Sequence, residues 1–217
     1  PIRRFGFDAA IIFSDILMVP WALQRNVRFK TNVGPLLDPL NTSTLINQNL
    51  ISDIPNKLKP IGKAISLTKS QLPLKTALIG FAGAPWTIMT YMIEGGSSRD
   101  FISTRRWTWE NRKQVDALLE ILIESTISFL CLQAKAGVDV LMLFDSWASV
   151  VPATQRDWLL IKPAQAIVEG VRKRGYYQPI IGFPRGIGEG LIKYVDQSGI
   201  NAVGLDHSLD LCWVNKN

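Results

Sequence analysis

Residues 77–83 read ALIGFAG, and residues 85–94 read PWTIMTYMIE, with only Ala84 between them. The first stretch is almost entirely apolar, which is typical of a strand buried on both faces of a parallel sheet. The second stretch begins with proline, a residue that suits the first turn of a helix. The pair therefore predicts one β/α unit, in which a strand leads directly into a helix.

The same alternation of short apolar runs and helical patterns continues along the chain. The other predicted strands are residues 9–15, 139–146, 179–185 and 202–207, and the other predicted helices are residues 56–71, 112–136, 153–174 and 187–198. Such repetition is typical of a parallel α/β fold. Residues 22–53 have no clear period and are rich in turn formers, which predicts a functional loop or a lid.

Two parallel architectures fit this pattern, a doubly wound sheet and a closed (β/α)8 barrel. No GxGxxG motif follows a strand, since GIGEG at 186–190 has the wrong spacing, and there is no Walker A motif, which weakens the nucleotide-binding option. We therefore predict an α/β fold of the TIM-type (β/α)8 class. The barrel is expected to be incomplete in this chain, because five strands in 217 residues fall short of the usual eight in about 250. Residues 1–217 are expected to form a single domain.

Composition limits the partners of the chain. Hydrophobic residues make up 47% and charged residues 19%, which fits a folded globular protein. The net charge of +6 favours anionic partners. The basic residues form only small clusters, at Arg3-Arg4, Arg105-Arg106 and 172–174, which predicts solvated helix ends and no nucleic acid partner.

Cysteine, histidine and membrane signals are weak. Cys131, Cys212 and His207 have no zinc-ligand spacing, and two separate cysteines suit a reducing compartment. The most apolar helical stretch, residues 118–132, contains two glutamates and is too short to span a bilayer. We therefore expect no metal site and no membrane segment.

Ionisable residues follow four of the five predicted strands. Active sites of barrels lie at the carboxyl ends of the strands, although strand ends are also where polar sequence ordinarily begins. Asp15 differs from the others because the apolar residues 16–19 follow it. An isolated carboxylate in such surroundings is costly to bury unless something pairs with it.

Structural interpretations of these residues remain open. Asp15 could cap a helix that begins at Ile16. Asp145 could form a salt bridge with Arg185, Tyr91 could be an ordinary core residue, and His207 could be a structural histidine.

Four stretches carry a more specific resemblance: AAIIFSDIL (9–17) followed by VP, LIGFAGAPWTIMTYMIEGGSS (78–98), LFDSW (143–147) and VGLD (203–206). In this order they resemble the uroporphyrinogen decarboxylase family over essentially the whole chain. The resemblance implies a (β/α)8 barrel that removes carbon dioxide from the four acetate side chains of uroporphyrinogen III, giving coproporphyrinogen III. It also implies a cytoplasmic homodimer that needs no metal and no organic cofactor.

The resemblance also implies roles for individual residues. Asp15 corresponds to the family's catalytic aspartate, which favours a cationic substrate and accepts hydrogen bonds from pyrrole N–H groups. Tyr91 corresponds to an active-site tyrosine near that aspartate and the reacting acetate. Ser146 corresponds to a serine that binds a substrate carboxylate, and Phe81 to a phenylalanine packed against the macrocycle.

Two further candidates rest on weaker grounds. Gly83 is expected to let the backbone come close to the substrate. Arg185 is a candidate contact for a substrate carboxylate by its position at a predicted strand end.

Some family motifs do not occur in this sequence. An RQAGRY motif with substrate-binding arginines is absent, and Arg3 and Arg4 do not replace it. A QGNLDP segment and an active-site histidine are also absent, and His207 is not that histidine. We therefore expect a piece of a longer protein that is inactive alone. The alternatives are a corrinoid-linked methyltransferase of the same superfamily with a zinc site, and a truncated, non-catalytic porphyrin-binding homologue.

Overall fold

The computed structural model describes residues 2–31, 34–40 and 46–216. Its strands are β1 (Ala9–Ile11), β2 (Arg28–Lys30), β3 (Gly34–Leu36), β4 (Ala77–Gly83), β5 (Val140–Asp145), β6 (Ile180–Pro184) and β7 (Ala202–Val203). Its α-helices are α1 (Ile2–Phe5), α2 (Met18–Ala22), α3 (Ile54–Lys57), α4 (Lys59–Gln71), α5 (Pro85–Glu94), α6 (Ile102–Glu110), α7 (Arg112–Ala136), α8 (Lys162–Lys173), α9 (Gly190–Ser198) and α10 (Leu211–Val214). Short 3-10 turns occupy Gln48–Asp53, Ala148–Val150 and Ala153–Gln155, and a π-helical turn occupies Asp157–Ile161.

Five parallel strands form the main sheet in the order β1-β4-β5-β6-β7, which is also their order along the chain. A doubly wound sheet reverses its strand order at a switch point, whereas a barrel adds each new strand beside the last. The sequential order therefore confirms the prediction of a TIM-type fold. Strands β2 and β3 form a separate antiparallel hairpin.

The two faces of the main sheet differ in what covers them. Helices α5 and α7 pack against one face, whose apolar side chains are almost fully buried: Leu78, Leu141, Leu143 and Ile180. On the other face, which we call the open face, the corresponding side chains are half-buried or exposed: Ile11, Ile79, Met142, Phe144, Ile181 and Phe183. In a closed barrel the open face is the one that lines the interior.

The longest helix, α7, has the bounds that the sequence predicts. Its buried residues, among them Val115, Leu122 and Phe129, recur at helical spacing and pack toward the sheet. The helix ends before Gly137, which has a φ of +108°. Glycine adopts this left-handed conformation without the steric cost that a side chain would bring.

Other predicted boundaries need correction. Of the five predicted strands, only β4 has its predicted length. The others are shorter, because the apolar residues at their ends are extended or turning and have no partner in a neighbouring strand. The predicted helix 56–71 is two helices, α3 and α4, divided at Leu58 with Pro60 in the first turn of α4. The predicted helix 153–174 becomes α-helical only at Lys162, and the predicted helix 187–198 begins at Gly190.

The irregular segment 22–53 contains the β2–β3 hairpin and a 3-10 turn, while its residues 32–33 and 41–45 lie outside the described residues. The segment is attached to the end of α5. The Leu37 N–H donates to the Gly95 carbonyl at 2.8 Å, and the Leu40 N–H donates to the Met92 carbonyl at 2.7 Å. These bonds satisfy carbonyls that a helix end leaves without partners. Among the described helices, none has the length and apolarity needed to cross a membrane.

Candidate active site

Asp15 lies just beyond the carboxyl end of β1, in the turn that leads into α2. One oxygen of its carboxylate accepts a hydrogen bond from the Leu17 N–H at 2.8 Å. The helix begins only at Met18, so Asp15 stabilises the turn before the helix and is not its N-cap. Burial raises the pKa of Asp15, and the bond from Leu17 partly offsets this rise. No described residue forms an ion pair with Asp15, so the charge is half-buried without a counter-ion.

Gly83, at the carboxyl end of β4, makes room for the segment that follows Asp15. A Cβ atom added to Gly83 would lie 2.8 Å from the Ile16 carbonyl oxygen and 3.2 Å from the Ile16 Cβ. Distances under 3.0 Å from a Cβ to a backbone atom force one of the two to move. The close approach at Gly83 is therefore to the protein's own chain, next to the aspartate.

Tyr91 comes from the second turn of α5 and has a mostly buried ring that belongs to the core. Burial raises the pKa of its hydroxyl, the Trp147 side chain lowers it, and the negative charge of Asp15 raises it again. The contribution of Asp15 to this pKa places its carboxylate near the Tyr91 hydroxyl. The buried ring agrees with the interpretation of Tyr91 as a core residue, and an active-site role for its hydroxyl stays a prediction.

Phe81 lies on the open face of β4 but is only 5% exposed. Its ring meets the Phe144 ring edge-on at a centroid distance of 5.3 Å, and Phe144 meets Phe183 at 5.8 Å. The three phenylalanines form one aromatic row across β4, β5 and β6. The more exposed members of this row are Phe144 and Phe183, and neither is among the residues predicted for the site.

The backbone of Phe81 is bound by a glutamine from α7. The Phe81 N–H donates to Gln133 Oε1 at 2.9 Å, and Gln133 Nε2 donates to the Phe81 carbonyl at 2.8 Å. Strand β1 ends at Ile11, opposite Ile79, so it does not reach these groups. The fully buried Gln133 therefore takes the place of the missing strand beside Phe81.

Ser146 and Asp145 end strand β5 and have different surroundings. Ser146 is half-buried, and within the described parts of the chain its side chain makes no hydrogen bond. Asp145 lies on the helix side of the sheet, 3% exposed, and accepts a hydrogen bond from the Thr87 hydroxyl at 2.6 Å. Burial raises the pKa of Asp145 to about 7.

Arg185 lies next to Asp145 but does not pair with its carboxylate. The Arg185 N–H donates to the Asp145 carbonyl at 3.1 Å, whereas the Arg185 side chain is exposed and ion-pairs with no residue that the structure describes. The salt bridge considered for these two residues is therefore wrong.

His207 is exposed at the edge of the sheet formed by β7. It follows Asp206, whose carboxylate accepts hydrogen bonds from the Ser208 and Gly186 N–H groups.

Two site features were not selected from the sequence. Phe13, between β1 and Asp15, is 86% exposed, and the Trp147 ring lies 6.2 Å from the Tyr91 ring. Both residues lie inside motifs that resemble the family, next to Asp15 and Ser146, and that position could have marked them as site residues.

Throughout residues 2–31, 34–40 and 46–216, no group of three or more His, Cys, Asp and Glu side chains could hold a metal ion. Cys131 is buried in the hydrophobic core.

A sequential parallel sheet covered by helices on one face, with a half-buried aspartate and a tyrosine beyond its strand ends, defines an α/β protein of the TIM-barrel class. The family model described as uroporphyrinogen decarboxylase matches residues 1–217. The chain belongs to the uroporphyrinogen decarboxylase family.

Curated relatives agree with this assignment. The chain is 41% identical over 216 residues to the uroporphyrinogen decarboxylase of Rhodospirillum rubrum, and 43% identical over 214 residues to that of Maricaulis maris. The alignments cover 100% and 99% of this chain and 62% of each relative, so the chain spans less than two thirds of their length. Among solved structures, a methyltransferase from Methanosarcina mazei has a TM-score of 0.68 at 15% identity, over 94% of this chain and 66% of that protein, which supports the fold alone.

Proposed function

We propose that the protein containing this chain removes carbon dioxide from the acetate side chains of uroporphyrinogen, giving coproporphyrinogen. The observation that carries the proposal is the half-buried Asp15 carboxylate, which has no cationic partner among the described residues and lies beyond the carboxyl end of β1, in the segment that contacts the end of β4. A fixed anion in such a place stabilises a positive charge that develops on a bound ligand. Membership of the decarboxylase family supports the choice of ligand.

Decarboxylation of an acetate side chain needs an electron sink for the bonding pair that carbon dioxide leaves behind. Protonation of a ring carbon makes the pyrrole cationic, and the bond between the acetate methylene and its carboxylate carbon then breaks. The bonding electron pair neutralises the ring cation, and carbon dioxide leaves. Protonation of the methylene carbon and loss of the added ring proton complete the methyl group. The substrate ring is itself the electron sink, so we propose that the reaction uses no metal and no organic cofactor.

Each site residue has a role in this proposal. Asp15 is the ionised carboxylate that stabilises the pyrrole cation and accepts hydrogen bonds from the pyrrole N–H groups. The Tyr91 hydroxyl lies beside Asp15, near the reacting acetate. Ser146 offers its unengaged hydroxyl to a substrate carboxylate, and the exposed cation of Arg185 binds another. Phe81 supports the aromatic row against which the macrocycle packs. Gly83 has two effects in this proposal. It lets the backbone come close to the substrate, and because it has no Cβ, Ile16 can pack against it and hold Asp15 in place.

The proposal extends to the whole protein. We infer a single domain over residues 1–217, and a cytoplasmic homodimer in the complete protein, with the family resemblance as support. We expect this 217-residue chain alone to be inactive, because the arginine motif and the histidine that the family uses do not occur in it. Sedimentation of the complete protein and a turnover assay on the isolated chain test these points.

The decisive experiment replaces Asp15 with asparagine in the complete product of the gene and follows carbon dioxide release from uroporphyrinogen. Loss of a charge that stabilises the transition state is expected to lower kcat by roughly 10²–10³-fold, while the fold and substrate binding persist. Asp8→Asn is the matched control, because Asp8 is exposed just before the other end of β1. An Asp15→Asn variant as active as its parent would contradict the proposed mechanism, and a parent that releases no carbon dioxide would contradict the proposed function.

A further inference from the structure

The turn that follows β5 is fixed to helix α5 by both backbone groups of Trp147. The Trp147 N–H donates to Thr87 Oγ1 at 3.1 Å, and the Trp147 carbonyl accepts a hydrogen bond from the Trp86 indole N–H at 2.9 Å. Two hydrogen bonds to neighbouring residues of one helix leave this peptide little freedom to rotate. The position of the Trp147 ring is therefore set by α5, the helix that also bears Tyr91.

The direction of the Thr87 hydroxyl is set in turn by a buried carboxylate. Thr87 donates its only hydroxyl proton to Asp145 Oδ1 at 2.6 Å, so a lone pair of its oxygen is available for the Trp147 N–H. Asp145 and Thr87 are both almost fully buried, where a hydrogen bond is stronger than at the surface. Asp145 thus holds the turn that presents Trp147, although it lies on the side of the sheet away from the open face.

Two aromatic rings hold the Trp147 side chain. The Phe101 ring lies 4.8 Å from it and the Tyr91 ring lies 6.2 Å from it, both at tilted angles. Phe101 is 2% exposed and has a left-handed φ of +49°, a conformation that residues with a Cβ adopt at a cost. Such strained residues persist only where the surrounding packing over-determines them, and they concentrate at functional sites.

The polar atom of this ring is not engaged. Trp147 Nε1 is buried and makes no hydrogen bond with any residue that the structure describes, and an unpaired buried donor costs about 1–3 kcal/mol. The same side chain lowers the pKa of Tyr91, so its N–H dipole favours negative charge on the Tyr91 oxygen although the two atoms are outside hydrogen-bond geometry. The Trp147 and Tyr91 rings are neighbours at 6.2 Å, and the indole N–H has no other hydrogen-bond partner among the described residues.

We propose that Trp147 is a positioning residue for Tyr91, in that its indole N–H donates to the Tyr91 oxygen when substrate fills the cleft. The tyrosine's own proton is then directed away from Trp147, toward Asp15 and the reacting acetate. Asp145 and Thr87 act indirectly: Asp145 orients the Thr87 hydroxyl, and Thr87 holds the Trp147 peptide. This inference rests on the proposed decarboxylation and adds residues that act on its geometry without touching the substrate.

A double-mutant cycle in the complete protein tests the proposal. Trp147→Phe keeps an aromatic ring and removes the donor, and it is expected to lower kcat about three- to tenfold with KM changed less than twofold. In a Tyr91→Phe background the same substitution should have no further effect on kcat, because the group it acts through is gone. Trp158→Phe is the matched control, since the Trp158 indole N–H donates to a different partner, Asp116 Oδ1 at 2.6 Å, and it should leave kcat unchanged.

A second pair of variants covers the case in which Trp147→Phe does not fold. Thr87→Ser keeps the hydroxyl and should retain kcat, whereas Thr87→Val removes it and should lower kcat only when Tyr91 is present. Equal losses in both Tyr91 backgrounds, or a loss mainly in KM, would show that the indole binds substrate directly and overturn the proposal. Full activity of Trp147→Phe would also overturn it while leaving the decarboxylase function intact, whereas an inactive parent would contradict that function instead.

Discussion

Asp15 and Asp145 follow two strands of one sheet, yet their carboxylates differ in surroundings. Asp15 is half-buried beyond a strand end and has one backbone hydrogen bond, whereas Asp145 is enclosed between the sheet and its helices. The apolar residues on both sides of Asp15 made its unusual position predictable. The enclosure of Asp145 was not predictable, because it depends on which way the last residue of β5 points.

The pH dependence of stability is expected to report on Asp145. Its pKa is raised from 3.8 to about 7 in the folded protein, so between these values the folded state holds a proton that the unfolded chain releases. The free energy of unfolding therefore falls as the pH rises from about 4 to 7, by roughly 4 kcal/mol at most from this group. Asp145→Asn keeps an oxygen for Thr87 but does not titrate, so urea unfolding should show a smaller fall. Parallel pH profiles for parent and variant would contradict this expectation.

A methyl group at Gly83 is expected to disturb Asp15 from a distance. Gly83→Ala places a Cβ 2.8 Å from the Ile16 carbonyl oxygen, and the overpacking should cost about 1–3 kcal/mol of stability. Activity should fall further than stability, since the displaced segment carries the aspartate. Gly62→Ala is the control, because its Cβ meets the Leu132 side chain at an ordinary 3.4 Å inside helix α4. The test measures the thermal unfolding and the kcat of both variants. A fully active Gly83→Ala variant would contradict the expectation.

Among the elements, β1 is the one whose length most affects the site. The apolar run 9–15 predicted a seven-residue strand, but the ladder ends at Ile11 and the chain turns toward Asp15. An apolar run in the sequence does not reveal where the strand ends, because buried residues in a strand and buried residues in a turn are equally apolar. The side chain that replaces the missing strand, Gln133, is a polar residue in the last turn of α7 among buried apolar neighbours such as Leu130 and Ala134, which was the available clue.

Replacing Gln133 is expected to weaken the junction between α7 and β4. Gln133→Met has a similar length but leaves the Phe81 N–H and carbonyl buried without partners, which should lower the free energy of unfolding by about 2–5 kcal/mol. Gln165→Met, on the exposed face of α8, should change it by less than about 0.5 kcal/mol. Chemical unfolding of the two variants measures the difference, and equal stabilities would mean that water serves the Phe81 groups instead.

For the whole molecule, the sequence predicted the alternation of strands and helices well enough to give the TIM-type fold. It did not predict the β2–β3 hairpin or helix α6, whose patterns are too short or too polar to stand out from loops. Nor could it show that one face of the sheet stays uncovered in this chain, because exposure depends on the neighbours that a strand has.

The uncovered surfaces are expected to make the isolated 217-residue chain associate with itself. A groove of about 700 Å³ beside α9 is lined by apolar residues that include Ile192, Val195 and Val203, and exposed apolar patches of this kind promote contact between molecules. The double substitution Ile192→Lys and Val195→Lys should lower both the sedimentation-derived mass and the binding of a hydrophobic dye. Leu67→Lys, on an exposed position of α4, is the control and should change neither. Monomeric behaviour of the unaltered chain would contradict the prediction.

The agreement between strand order in space and strand order in the chain also bears on how such a protein can be encoded. A cut between two β/α units divides the sheet into two contiguous blocks, and neither block has to be threaded through the other. Each block then presents two strand edges with backbone donors and acceptors that the sheet itself does not pair, and β1 and β7 are these edges here. Two polypeptides that each supply one block would therefore complement each other along two seams, at β1 and at β7, with the same hydrogen bonds that join neighbouring strands in an uninterrupted barrel.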